Sequence, residues 1–205
     1  SLEQIFTALI AGSCLYLRDL ELWDPARFTQ KIAELNLTVI NIPPAYWQQW
    51  VQAENRSTNP VPVPSLRLVI IGGDRMQPEL LEIWERSAMK SAQLLNAYGP
   101  TETTITATTF EIPHPPHPTF NSIPIGKPRC NRKIFILDAQ NQLVPQGIPG
   151  ELHIGGPCLA RGYINQPELT DQKFIPNVLV PTTTERLYKT GDLARILEDG
   201  NIDFL

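Results

Sequence analysis

The chain has 205 residues, 42% of them hydrophobic and 19% charged, with a formal net charge of -4 at pH 7. This length allows one large domain or two small ones, and this composition is typical of a globular protein that buries a core. Because the charge is negative and no basic run is visible, we expect no nucleic-acid surface.

The longest apolar run, residues 5–17, is interrupted by Gly12 and is shorter than the roughly 20 residues that span a bilayer, so we expect no membrane segment. It also lacks the charged start and the cleavage site of a signal peptide. Cys14, Cys130 and Cys158 are widely spaced without a C-x-x-C pair, which argues against a disulfide framework and against a zinc site. These observations fit a cytoplasmic protein.

Helix and strand patterns alternate over residues 1–112. The predicted elements are, in chain order, a helix over 1–17 that ends at Gly12, a helix from Asp24-Pro25 to Asn36, a strand at 38–42, a short helix around 46–50, a strand at 66–71, a helix at 78–88 and a strand ending near Leu95. The apolar residues of the first helix share one face, which we expect to be buried. The alternation predicts an α/β region in which helices cover a largely parallel sheet.

A proline-rich connection at residues 113–121 marks a predicted change of architecture, because such a run forms neither a helix nor a central strand. Its histidines, His114 and His117, could suggest a metal, but we interpret the run as a stiff exposed linker. Short apolar runs separated by turns follow over residues 122–205, at 133–138, 143–144, 151–154, 162–164, 193–196 and 202–205. They predict a smaller antiparallel barrel or sandwich. The sequence starts inside a predicted helix without an initiator Met and stops inside a predicted strand, so we expect a larger polypeptide.

The densest group of reactive side chains is Asn96-Ala97-Tyr98-Gly99-Pro100-Thr101-Glu102-Thr103-Thr104, which follows a short buried run. Tyr98 offers an aromatic face to a base, and Gly99 lets the main chain approach a ligand. Thr101 can donate to a phosphate oxygen, and Glu102 is the hard anionic ligand that Mg²⁺ prefers. The carboxyl end of a strand is a frequent ligand site. A tight turn with solvated side chains is the alternative interpretation of these residue types.

These nine residues resemble the core motif of adenylate-forming enzymes, in particular the amino-acid adenylation domains of nonribosomal peptide synthetases. Three later segments resemble the next motifs of that family in the same order: Gly150–Gly156, Leu159–Thr170 and Leu187–Leu193. The resemblance implies the large subdomain of these enzymes, with an α/β part followed by a barrel-like part. It further implies that an amino-acid carboxylate attacks the α-phosphorus of ATP, and that the aminoacyl group then passes to the phosphopantetheine thiol of a carrier protein.

The resemblance also assigns roles to single residues. Thr101 would contact the α-phosphate, and Glu102 would hold Mg²⁺. The adenosine contacts would be Tyr98 stacked on adenine, Asn96 and the backbone around Gly73 near the base edge, Asp192 on the ribose hydroxyls, and Phe204 beside the nucleotide. Two alternatives stay open here: Asp192 as a turn residue, and Phe204 as a plain core residue.

A side-chain pocket for the amino acid follows from the same comparison of motifs. Its implied residues are Glu3, Asn41, Ile70, Gly72, Ala97, Ile105 and Thr106. Glu3 among small neighbours would place one buried negative charge in a roomy pocket, and a buried charge requires a partner. We therefore expect a long cationic substrate such as arginine, ornithine or lysine. A solvated helix-face glutamate is the alternative.

The sequence departs from the family pattern at both ends. It lacks the upstream Ser/Thr/Gly-rich phosphate loop, the arginine and hinge aspartate expected after Leu205, and the small C-terminal domain with its lysine. We therefore expect these residues alone to adenylate poorly or not at all, and we expect neighbouring synthetase domains as partners. An acyl-coenzyme A synthetase and a non-catalytic nucleotide-binding remnant are the alternatives. Ala97 favours the peptide-synthetase branch, and the presence of Glu102 and Asp192 argues against a remnant.

Overall fold

The structure is a computed structural model that describes residues 2–17, 23–115, 121–180 and 185–205. The helices are α1 (Leu2–Ile10), α2 (Pro25–Glu34), α3 (Pro44–Arg56), α4 (Leu80–Arg86) and α5 (Pro167–Lys173), with a 3₁₀ helix at Thr101–Thr103. The strands are β1 (Val39–Ile42), β2 (Leu68–Gly72), β3 (Gln93–Tyr98), β4 (Thr108–Glu111), β5 (Lys127–Pro128), β6 (Lys133–Leu137), β7 (Gly150–Gly155), β8 (Phe174–Pro176), β9 (Arg186–Ile196) and β10 (Ile202–Phe204).

The first sheet has the strand order β1-β2-β3-β4-β5 and confirms the predicted α/β class. β1, β2 and β3 pair in parallel, whereas β4 and β5 are added antiparallel. The sheet is therefore mixed. Only residues 99–107 separate β3 from β4, and a parallel pairing would need a longer crossover connection. β3 also runs to Tyr98, three residues beyond its predicted end.

Aromatic side chains fill the core between this sheet and helices α2, α3 and α4. Trp47, Trp50 and Trp84 are almost fully buried. The rings of Phe28 and Trp50 meet edge to face with centroids 5.1 Å apart. Helix α2 starts as predicted, since the Asp24 carboxylate accepts a hydrogen bond of 2.8 Å from the Arg27 backbone.

Helix α1 differs from the prediction of a buried face. Its apolar side chains are exposed, with Leu9 at 60% and Ile10 at 85%, and no residue of the helix is buried. Within the described part of the chain, no element covers this face, although the helix does end where Gly12 adopts a positive φ of 66°. The apolar spacing predicted the helix, but it could not predict what the helix packs against.

The second sheet has the order β10-β9-β7-β6, with β8 beside β9, and every pairing is antiparallel. Its described strands form an open sheet, so the predicted antiparallel character is confirmed and a closed barrel is not formed. The strand predicted at 162–164 is wrong, since these residues lie in the loop that precedes α5. The sequence interpretation missed α5, although Pro167 in its first turn is a known helix-start signal.

The chain passes from the first core to the second within a few residues. Ile123 packs in the core under the first sheet, and Ile125 packs in the core of the second. The predicted domain boundary at 113–121 stays a prediction, and residues 116–120, which include His117, lie outside the described residues. His114 is exposed and pairs with the Glu85 carboxylate at 3.0 Å. Among the residues described, none of the helices combines the length and apolar character that crossing a bilayer requires.

His153 on β7 makes the stability of the fold sensitive to pH. The side chain is fully buried, and its Nδ1 atom lies 3.0 Å from the Glu151 carbonyl oxygen. Nε2 is also buried and makes no hydrogen bond within the described residues. Burial lowers the pKa of His153 and outweighs the opposing effects of the Glu151 carbonyl and charge. The folded state therefore binds a proton less readily than the unfolded chain does.

We expect the stability from neutral His153 to be complete above the ordinary histidine pKa of about 6.5 and to fall as the pH drops below it. The melting temperature of wild type should fall more steeply between about pH 7 and about pH 5 than that of His153→Leu, which cannot titrate. Thermal unfolding followed by circular dichroism at several pH values measures this difference. Equal slopes for the two proteins would contradict the assignment.

Gly99→Ala should destabilise the fold because the new β-carbon would lie 1.7 Å from the Ile105 carbonyl oxygen and 2.5 Å from the Ala107 nitrogen. Both contacts are with backbone atoms that cannot rotate away, so we expect a loss of about 3 kcal/mol or more. Gly12→Ala is the matched control, since nothing lies within 4 Å of its β-carbon and only a positive φ is strained. There we expect about 1 to 2 kcal/mol. Denaturant unfolding compares the two, and similar losses would refute the steric account.

Candidate active site

A cavity of about 270 Å³ lies at the carboxyl ends of the parallel strands β2 and β3, facing β9 and β10. Its walls bring together all of the residues expected to contact adenosine, namely Gly73, Asn96, Tyr98, Asp192 and Phe204. Further wall residues that the sequence interpretation missed are Asp74, Arg75, Met76, Ile123 and Ile125. The first three follow the Gly72-Gly73 turn at a strand end, a position that could have indicated them, whereas the two isoleucines carry no such signal.

Tyr98 and Asp192 meet across this cavity from different sheets. Tyr98 is the last residue of β3, and its hydroxyl donates to Asp192 Oδ2 on β9 at 2.5 Å. Burial, and then the hydrogen bond and charge of Asp192, raise the pKa of Tyr98, so the hydroxyl keeps its proton and acts as the donor. The Tyr98 ring also contacts the Phe204 ring, with centroids 5.9 Å apart.

Asp192 lies within β9 rather than in a turn, because the strand continues to Ile196. Gly191 before it has a φ of 84°, and the pairing of β7 with β9 shifts register between Glu151 and His153. The Asp192 backbone N–H donates to the Thr190 hydroxyl at 3.0 Å. That hydroxyl in turn donates to the Leu152 carbonyl at 2.8 Å. The acid is therefore held at a local irregularity of an otherwise regular sheet.

Asn96 connects the cavity to the segment that enters the second sheet. Its side chain is buried, at 3% exposure, and its amide donates to the Pro124 carbonyl at 2.8 Å. Gly73, also in the cavity wall, has a φ of 98°, and no atom lies within 4 Å of where its β-carbon would be. The backbone at Gly73 is therefore open to the cavity and accessible to the edge of a flat ligand.

The loop between β3 and β4 carries Thr101 and Glu102 just beyond the cavity wall. Thr104 and Ile105, which directly follow the 3₁₀ helix, have φ values of 58° and 69°. Both side chains are β-branched, and this backbone conformation is rare for such residues. Strained backbone of this kind persists only where its surroundings hold it, and it is common at functional sites.

Contacts from the second sheet and its loops hold this strained turn. The Thr104 hydroxyl donates to the Cys158 carbonyl at 2.7 Å, and the Ala160 N–H donates to the Glu102 carbonyl at 2.7 Å. The Arg132 guanidinium donates to the Thr104 carbonyl at 3.1 Å. The segment around residues 158–160 thus lies directly against the loop, so two motifs that are far apart in the sequence are in contact in the fold.

The Glu102 side chain is half-buried, and its Oε1 atom accepts a hydrogen bond of 2.7 Å from the Tyr163 hydroxyl. The Tyr163 hydroxyl lies 3.4 Å from that of Tyr188. Burial acts to raise the pKa of Glu102, but the Tyr163 hydroxyl, its own backbone, Tyr188 and the charge of Lys173 together hold that pKa below its ordinary value. The carboxylate is therefore ionised at neutral pH. The sequence interpretation gave no role to Tyr163 or Tyr188.

Metal binding at this site would depend on a single carboxylate. In the described residues, no three His, Cys, Asp or Glu side chains cluster in a way that could hold a metal ion. An ionised Glu102 alone does not form a protein cage, but it fits Mg²⁺, which often takes one or two carboxylates and completes its shell with water and substrate phosphates. Thr101 is exposed beside it, with its hydroxyl available to an anion.

Six of the seven residues expected to form the amino-acid pocket lie in three neighbouring pairs. The Thr106 hydroxyl donates to Glu3 Oε2 at 2.8 Å, which joins α1 to the loop after Glu102. Asn41 pairs with Ile70 between β1 and β2, and Gly72 pairs with Ala97 between β2 and β3. Ala97 also lines the cavity described above, and Ile105 is half-buried in the strained turn.

Comparison with known proteins agrees with this geometry. Residues 1–164 match the family described as AMP-binding enzyme. Tyrocidine synthase 1 of Brevibacillus parabrevis is 41% identical over 206 residues, which is 100% of this chain and 18% of the synthase. Gramicidin S synthase 1 of Brevibacillus brevis is 42% identical over 207 residues, which is 100% of this chain and 17% of the synthase. The chain therefore spans less than a fifth of the length of these relatives.

A solved structure shows the same architecture. PA1221, a nonribosomal peptide synthetase protein that contains adenylation and PCP domains, superposes with a TM-score of 0.85 at 27% identity. The superposition covers 99% of this chain and 40% of that one. The chain belongs to the AMP-binding enzyme family, within which it is similar to the adenylation domains of nonribosomal peptide synthetases.

Proposed function

We propose that this chain forms the nucleotide and amino-acid site of an adenylation domain, which activates an amino acid as its aminoacyl adenylate for transfer to a carrier protein. The observation that carries the proposal is the meeting of Tyr98 and Asp192 over one cavity at the ends of parallel strands. An aromatic ring for a base and an acid for a sugar, a few ångströms apart, suit a nucleoside. Membership of the AMP-binding enzyme family supports the same ligand.

The proposed reaction has two steps. In the first, a carboxylate oxygen of the amino acid attacks the α-phosphorus of ATP, the bond to the bridging oxygen breaks, and pyrophosphate leaves. In the second, the phosphopantetheine thiol of the carrier loses its proton and attacks the aminoacyl carbonyl, and AMP leaves. Both reactants of the first step are anions, so the site has to align them and reduce their repulsion.

The residues around the strained loop suit this first step. Thr101 would donate its hydroxyl to the α-phosphate, and Glu102 would bind Mg²⁺. When bound, Mg²⁺ would neutralise phosphate charge and orient the leaving group. Tyr163 donates to Oε1 of Glu102 and thereby limits the rotation of the carboxylate. Tyr98, with Phe204 at its side, would contact adenine, and Asp192 would accept hydrogen bonds from the ribose.

A carrier domain and neighbouring synthetase domains are the proposed partners. PA1221 joins adenylation and PCP domains in one protein, and the synthases similar to this chain are several times longer than it is. We place the reaction in the cytoplasm, which supplies ATP and keeps thiols reduced. Cys14, Cys130 and Cys158 are all free thiols, as that compartment requires.

We further propose that the amino acid is cationic. The Glu3 carboxylate is half-buried and is oriented by the Thr106 hydroxyl, so it presents a negative charge in a defined direction. Gly72 and Ala97 are partners in adjacent strands, and neither carries a side chain larger than a methyl group. An ammonium or guanidinium group at the end of that side chain would provide the partner that a half-buried carboxylate requires.

Loss of either acid should impair adenylation in the full-length protein, measured as amino-acid-dependent exchange between ATP and pyrophosphate. Glu102→Gln should lower kcat about 100-fold, because charge neutralisation at the phosphates is lost. Asp192→Asn should raise the KM for ATP about tenfold with a smaller change in kcat. Glu82→Gln, an acid exposed on α4, is the control and should behave as wild type. Exchange that depends on a fatty or aryl acid instead of an amino acid would favour an acyl-coenzyme A synthetase.

Glu3→Gln keeps a group that can accept the Thr106 hydrogen bond but removes the charge. We expect kcat/KM for arginine, ornithine or lysine to fall about 100-fold, because the substrate cation would be buried without a counter-charge. Activation of a neutral amino acid of similar length should change little. The same exchange assay, run with a panel of amino acids, measures both, and unchanged activation of the three cationic substrates would refute the assignment.

A further inference from the structure

We propose that the Tyr98 hydroxyl is a positioning group for sugar recognition: it fixes the Asp192 carboxylate so that Oδ1 is presented to the ribose. Under the proposed function, the Tyr98 ring stacks on the base, and Asp192 binds the sugar. The additional step is that the hydroxyl of the same tyrosine determines how the acid faces the ligand. The inference rests on the nucleotide site proposed above.

The geometry gives Asp192 several restraints. Oδ2 accepts the Tyr98 hydroxyl at 2.5 Å, and the backbone N–H donates to Thr190, which is itself bonded to the Leu152 carbonyl. Within the described part of the chain, no hydrogen bond reaches Oδ1. Each carboxylate oxygen has two acceptor sites, so Oδ1 keeps both of its sites for a ligand. Tyr98 and Asp192 both line the cavity, so the carboxylate lies at the edge of the ligand space.

This restraint matters because a free aspartate rotates about its side-chain bonds, and holding it in one orientation costs conformational entropy each time a ligand binds. The Tyr98 hydroxyl pre-organises the acid before the nucleotide arrives, which lowers that cost. Burial of the tyrosine keeps its hydroxyl protonated, so it donates to the acid and does not repel it. The hydroxyl and the ring would then contribute to affinity through different parts of the nucleoside.

The simpler explanation is that the bond only joins two sheets, since its partners lie 94 positions apart in the sequence. The two explanations differ in what they predict for a nucleotide without ribose hydroxyls. If the hydrogen bond only joins the sheets, its loss should lower the affinity for every nucleotide by the same factor. If it positions Asp192 for the sugar, its loss should weaken only nucleotides whose sugar hydroxyls use that acid.

The test is a double-mutant cycle in the full-length protein. Calorimetry measures the affinity of each variant for AMP and for 2′,3′-dideoxy-AMP. Tyr98→Phe keeps the ring and removes one oxygen atom. We expect this change to lower the affinity for AMP about tenfold and to leave the affinity for the dideoxy nucleotide unchanged within about twofold. In the Asp192→Asn background, which loses the ionised acceptor, Tyr98→Phe should have little further effect on AMP. Tyr46→Phe is the matched control, because that hydroxyl donates to the Trp23 carbonyl away from the cavity.

The possible outcomes separate this inference from the function on which it rests. An equal loss of affinity for both nucleotides in Tyr98→Phe would overturn the positioning role, while the proposed nucleotide site would still stand. A full tenfold loss that persists in the Asp192→Asn background would also overturn it. If the wild-type protein bound neither AMP nor ATP, the proposed function and the inference would both fail. A loss confined to AMP, and absent without the acid, supports the proposal.

Discussion

The candidate site depends on the close approach of two backbone segments at Gly99. A β-carbon there would lie 1.7 Å from the Ile105 carbonyl, so the loop can fold back only where residue 99 has no side chain. This reversal lets β4 return antiparallel to β3 after nine residues, and it places Thr101 and Glu102 directly beyond the cavity. A wider loop would carry both side chains away from Tyr98 and Asp192.

The same reversal forces Thr104 and Ile105 into a left-handed conformation that their β-branched side chains disfavour. The second sheet region compensates, because Cys158, Ala160 and Arg132 all form hydrogen bonds to this loop. The two halves of the chain therefore have to fold together for the loop to keep its shape. We therefore interpret the contact between the loop and residues 158–160 as a requirement for the shape of the loop, in addition to any role in binding a ligand.

The sequence predicted local features well and tertiary features poorly. The start of α2 at Asp24 followed from side-chain chemistry, and Gly73, Asn96, Tyr98, Asp192 and Phe204, which motif resemblance grouped together, all line one cavity. The apolar face of α1 was predicted to be buried but is exposed, since amphipathic spacing contains no information about which element would cover the helix. The hydroxyls of Tyr163 and Tyr188 were missed because they reach Glu102 only after three separate segments have packed together. The left-handed turn could not be expected from residues that disfavour it.

Strand β9 carries two of the side chains on which the proposed site depends. Tyr188 lies in the hydroxyl chain that leads to Glu102, and Asp192 lies four residues further along beside Tyr98. On the proposed assignment, metal and sugar recognition share one rigid strand, whereas Glu3 and Thr106 belong to α1 and a loop. A lineage of such synthetases could therefore exchange one amino-acid building block for another through changes in α1 and the loop, while its way of using ATP stayed constant.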